Sequence, residues 1–179
     1  MVDESFEADP FMQVQDKDVQ ACRQAAQRIM AANDSGGKGL GLEKEGFALV
    51  LDCDSGALAF SLAKSSNLYI CAVFDDPEKA QVARGRFSRA NLLASRISVW
   101  IREPGSRLPY SPNFADLIVS ERAAVGGVMP DYTVELEHLL KPIRGIALVG
   151  GKQEDKAISR WVTTAKAGAW KTRTQHEMR

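Results

Sequence analysis

The stretch that most constrains this chain is Phe47 to Ala63, FALVLDCDSGALAFSLA. From Phe47 the run is apolar until Asp52, the pattern of a strand covered on both faces, as in a parallel sheet. Asp52, Cys53, Asp54 and Ser55 follow, Gly56 breaks the run, and from Ala57 small and apolar residues recur at helical spacing. A strand that feeds directly into a helix is where open α/β sheets hold ligands. The backbone N–H groups of the first helical turn point into the crevice there.

The chain downstream repeats this unit. Asn67 to Phe74, NLYICAVF, is a second apolar run closed by Asp75-Asp76-Pro77. Asp76 suits an N-cap and Pro77 the first helical turn, and the helix should continue to about Ala94. Arg96 to Ile101, Ala115 to Ser120 and Ile146 to Val149 read as three more strands. A loop spans 102–113, a glycine-containing loop Ser120 to Pro130, and a short helix Tyr132 to Leu140. Strands alternating with helices over short connections imply a parallel sheet with right-handed crossovers. Upstream, Asp16 or Asp18 can cap a helix to about Ala32, whose apolar stripe is Val19, Cys22, Ala26, Ile29 and Met30. The expected organisation is an N-terminal helix and connector at 1–45, a Rossmann-like domain at 46–151, and a basic tail at 152–179. The tail carries Trp161 and Trp170.

Composition removes several classes. The formal net charge is zero, which gives no broad attraction to nucleic acid or an anionic membrane. Three cysteines without C-x-x-C spacing indicate neither a disulfide framework nor a metal centre, and fit a reducing, cytoplasmic setting. No stretch approaches the ~18 apolar residues of a membrane helix. With only His138 and His176, no Ser-His-Asp set can be assembled.

The order of elements resembles the class I S-adenosylmethionine-dependent methyltransferases over about Cys22 to Gly151. ALVLDCDSGALAFSLA resembles the family's first motif. AVFDDPEKAQVAR resembles its second strand, RLPYSPNFADLIVSE the segment entering its fourth, and LLKPIRGIALVGG the approach to its fifth. A weaker likeness is to methyltransferase-like modules attached to large β-propeller proteins. The resemblance implies a doubly wound sheet of about five strands in the order 3-2-1-4-5, with S-adenosylmethionine in the crevice between the first and fourth. Asp52, Cys53, Asp54 and Gly56 would then approach the methionine end. Asp75, with Asp76 beside it, would hold the ribose, and Glu103 would frame the adenine. Tyr110 and Glu121 would stand on the substrate side, the plainer alternatives being packing on the sheet for Tyr110 and a solvated loop position for Glu121. Arg122 would lie close enough to the crevice to meet an anion.

A gapless match places Asp52, Asp54 and Gly56 on the family's three glycines. Two side chains and two negative charges therefore enter space the ligand would use. Two functions follow: a methyltransferase acting on an unidentified small molecule or protein, or a catalytically inactive module with a structural or docking role among other domains. A third and more distant reading takes Asp52-Cys53-Asp54 as the D-x-D of a haloacid dehalogenase-type phosphatase, with Asp52 as nucleophile and Asp54 as acid/base.

Overall fold

The computed structural model describes residues 9–12, 16–33, 45–103, 106–126 and 133–148. The connector around residues 34–44, the loop residues 104–105 and 127–132, and the tail from 149 onward lie outside the described residues.

Among the described residues five strands form one sheet, all parallel, in the order β3-β2-β1-β4-β5. They are β1 (Glu45–Leu51), β2 (Asn67–Phe74), β3 (Ile97–Ile101), β4 (Leu117–Ser120) and β5 (Ile146–Leu148). The central strand β1 pairs with β2 on one side and β4 on the other, with Ala48 opposite both Ile70 and Leu117. Its last four residues are buried. Ala48 and Val50 enter one core cluster and Leu49 and Leu51 a second, as alternation across a strand requires.

Helices cover both faces. α1 (Lys17–Asn33) packs on α2 (Ala57–Ser65), and both join α3 (Pro77–Arg89) and α4 (Glu121–Gly126) on the first face. Val19, Cys22 and Ala26 are the buried positions of α1, with Ile29 and Met30 packed at their margin. α1 thus shares the core of the sheet domain. Asp16 accepts from the Asp18 N–H at 2.9 Å at the entry to α1. On the second face lie α5 (Thr133–Leu139) and the segment 108–115, through Leu108, Ala115, Leu136 and Leu139.

Asp76 caps α3, accepting from the Glu78 and Lys79 N–H groups at 2.8 and 3.3 Å with Pro77 in the first turn, as the sequence indicates. The helix ends at Arg89 rather than near Ala94, and a turn through Asn91 leads to Leu93, which bridges to Ile97 at the start of β3. Arg96 closes the end of α2 by donating to the carbonyls of Ala63, Ser66 and Leu68 at 3.2, 2.6 and 3.2 Å. At the opposite end of the sheet, Asp116 is 4% exposed. It accepts from the Phe47 N–H at 2.9 Å and from Lys141 Nζ at 2.7 and 2.9 Å, tying β4 to β1 and to the turn before β5.

One element departs from the sequence reading. The expected loop after Ser120 begins as helix α4. Ser120 Oγ accepts from the Ala123 N–H at 3.1 Å and so acts as a cap at the strand–helix junction. Ala124 and Val125 then pack against the first core cluster.

Candidate functional site

The carboxyl ends of β1, β2 and β4 converge on the turn Asp52–Gly56. Asp52 has φ 51° and Gly56 φ 78°, so the chain reverses through two left-handed residues before α2. Gly56 is required there. A Cβ at this position would stand 2.7 Å from Phe87 Cζ, and the backbone conformation is itself unfavourable for an L side chain. Cys53 fastens the turn to the sheet: its N–H donates to the Val73 carbonyl at 2.9 Å and its thiol to the Val50 carbonyl at 3.2 Å. Asp52, 6% exposed, accepts from Ser120 Oγ at 2.7 Å, which joins β1 to β4.

The centre of the site is Glu121. It is 1% exposed, and its carboxylate lies inside the turn. Oε1 accepts from the N–H groups of Asp54, Ser55 and Gly56 at 3.2, 2.7 and 3.1 Å and from Ser55 Oγ at 2.9 Å. Oε2 accepts from the Leu58 N–H at 3.1 Å. Gly56 and Leu58 supply donors that the start of α2 leaves without intrahelical partners, Asp54 and Ser55 add those of the turn before it, and the helix dipole favours an anion at that end. Glu121 is therefore neither the solvated loop residue nor the substrate-side group that the sequence suggested. Its charge is balanced by backbone donors of a segment more than sixty positions away in the chain.

Above the turn runs a line of charges. Asp54 pairs with Lys79 at 2.6 Å, and Arg122 places Nε 3.7 Å from Asp54 and Nη2 3.7 Å from Asp75. Arg102 closes the line: Nε and Nη2 both stand 3.0 Å from Asp75 Oδ1. Asp54 and Asp75 thus face one crevice and share the Arg122 guanidinium. These groups are partly exposed, so each pair contributes about 0–1 kcal/mol.

The other sequence candidates fall into separate places. Asp76 is spent as the α3 cap, and its carboxylate is directed to the helix N–H groups. Glu103 is exposed, and its carbonyl accepts from the Ser106 N–H and hydroxyl at 3.0 and 2.7 Å. Tyr110 does not line the crevice. It stacks on Phe114 with centroids 4.8 Å apart, edge-on to Trp100, over the second face of the sheet beside the Cys71 thiol. The phosphatase reading loses its nucleophile, because Asp52 is buried and bonded to Ser120. Among the described residues no three His, Cys, Asp or Glu side chains converge to hold a metal.

All three thiols are buried. Burial raises the pKa of each, and for Cys22 and Cys53 the nearby Glu121 charge raises it further. Native protein at pH 8 is therefore expected to leave all three unreacted toward an aromatic disulfide reagent, and denatured protein to release three equivalents. Because each folded pKa lies above its unfolded value, the thiols' contribution to stability is fully present below about pH 9 and declines as the pH rises past it.

No family model matches the chain, and no curated protein matches it. Solved structures do. A Methanococcus maripaludis protein, provisionally assigned as an S-adenosyl-L-methionine-dependent methyltransferase, superposes with a TM-score of 0.62 at 22% identity, over 89% of this chain and 66% of its own. The [4+2]-cyclase SpnF gives 0.54 at 19%, over 79% and 47%. A geranyl diphosphate methyltransferase in complex with S-adenosylmethionine gives 0.52 at 8%, over 66% and 45%. The chain spans less than two thirds of each of these structures. The fold is that of the class I S-adenosylmethionine-dependent methyltransferases. At these identities the likeness establishes architecture, and the cyclase carries the same architecture to a different named reaction.

Proposed function

We propose that this domain is a methyltransferase-fold module that does not bind S-adenosylmethionine in the family's manner and serves a structural or docking role among other protein domains. One observation carries the reading. The backbone donors of the glycine-position turn, which would meet the cofactor's methionine end, are engaged by the buried carboxylate of Glu121. An incoming carboxylate would have to displace a partner already desolvated and hydrogen-bonded, and would meet the charges of Glu121 and Asp54 besides. The residues therefore do not fit the cofactor as they stand, and no methyl-transfer step is derived through them. What favours catalysis is the position of Asp75, at the end of β2 and across Arg122 from Asp54, where the resemblance puts a ribose ligand.

Calorimetric titration with S-adenosylmethionine and S-adenosylhomocysteine separates the two readings. The expected result is no saturable heat at millimolar ligand. Micromolar binding that is lost in Asp75→Ala would restore the enzyme.

A further inference from the structure

We infer that the turn Asp54–Leu58 is a preformed carboxylate receptor that the protein fills with its own Glu121, and that it takes up a small free carboxylate when this side chain is removed. The inference rests on the crevice reading above and goes one step further, by assigning the turn a ligand chemistry. Four backbone N–H groups and the Ser55 hydroxyl converge on one carboxylate, with Oε1 taking four of the five contacts.

The receptor has supports that do not involve Glu121. Cys53 is bonded to Val73 and Val50, and Arg86 Nη1 donates to the Ser55 carbonyl at 3.1 Å. Ser55 Oγ accepts from the Ala57 N–H at 3.0 Å, and Gly56 is seated against Phe87, Ala83 and Phe74. Trimming Glu121 therefore leaves a polar recess with its donors still aimed inward, rather than an apolar void.

The side chain also acts as an autoinhibitory contact. A carboxylate carried on the chain acts at an effective concentration of millimolar or above. Its attachment is held further by the Ser120 bonds to Asp52 and to the Ala123 N–H. A dissolved carboxylate at lower concentration does not displace it.

The test is thermal unfolding of full-length Glu121→Ala in sodium formate against sodium chloride at equal ionic strength. The expected result is a saturable rise of several degrees in Tm with formate, absent in wild type and in Glu121→Gln, where a side chain of the same size still fills the recess. Folding of Glu121→Ala only in formate would equally support the receptor. If this variant folds in neither salt, Glu121→Ser, which opens less of the recess, is titrated in its place. Equal Tm values in the two salts for the folded variant, or an equal formate shift in wild type, overturn the inference. Loss of the formate effect while wild type still ignores S-adenosylhomocysteine removes only the receptor. Binding of S-adenosylhomocysteine by wild type removes the proposed function whatever formate does.

Discussion

Glu121→Ala is expected to lower the free energy of unfolding by about 3–5 kcal/mol, more than any substitution among the charged groups above the turn. The reason is the imbalance between making and losing a buried polar contact. The side chain is 1% exposed and satisfies the N–H groups of Asp54, Ser55, Gly56 and Leu58. Each buried donor left alone costs about 1–3 kcal/mol, and water entering the recess recovers part of the total. For a chain of this size the Tm should fall by roughly 6–20 °C. Glu121→Gln keeps the volume and a carbonyl oxygen for the Oε1 contacts but turns its N–H₂ toward the Leu58 N–H, so it should lose about half as much. By contrast, Asp75→Ala removes only partly exposed ion pairs with Arg102 and Arg122 and should change stability by less than about 1 kcal/mol. Urea unfolding of the three variants checks the order. A Glu121→Ala loss as small as that of Asp75→Ala would show that the carboxylate is not held in the turn.

Gly56→Ala is the second large effect, expected at about 2–5 kcal/mol. Two costs add. A residue with a Cβ at φ 78° loses about 1–2 kcal/mol. The added methyl then stands 2.7 Å from the end of the Phe87 ring, a fully buried side chain in the core under α3. Relief requires Phe87 or the turn to shift, and overpacking of this kind costs about 1–3 kcal/mol. The double variant Gly56→Ala/Phe87→Leu separates the terms, since the shorter side chain removes the collision and leaves the backbone cost. Urea unfolding should show the double variant losing less than the sum of the two single losses. Strict additivity would mean that the ring is not what resists the methyl.

The fold was open to reading because its signals are local. The apolar run up to Leu51 marks the central strand, and Asp75-Asp76-Pro77 marks the end of β2 and the cap of α3 within three residues. That the sheet is parallel follows from the alternation of strands and helices, and its order 3-2-1-4-5 from the family resemblance. α4 was missed because the glycines at 126 and 127 suggest a loop, whereas the helix is fixed by the Ser120 cap and by packing against the first core cluster.

The site was open to reading only in part. That Asp54 and Asp75 share a crevice follows from their places at the ends of adjacent strands, and Arg122 was read as its neighbour. Glu121 was misread because nothing beside it in the sequence distinguishes a solvated acid from a buried one. Its environment is created by a turn more than sixty residues earlier. A usable signal was the pair of aspartates at glycine positions, which indicated that the turn does not meet a ligand in the ordinary way. What fills it instead is visible only in three dimensions. The cap role of Asp76 is legible in Asp75-Asp76-Pro77, whereas the ligand roles of Asp76 and Glu103 came only from the family resemblance; the Glu103 carbonyl is a turn acceptor.

Amide hydrogen exchange at Asp54, Ser55, Gly56 and Leu58 tests the central claim most directly, by comparing wild type with Glu121→Gln. In wild type these amides should exchange as slowly as those of β1, and adding millimolar S-adenosylhomocysteine should leave them unchanged. In the variant the Leu58 amide, left facing the Gln N–H₂, should speed up most while the β1 amides stay protected. Fast exchange of the four amides in wild type, or protection that appears only when S-adenosylhomocysteine is added, would contradict a turn closed by the protein's own carboxylate.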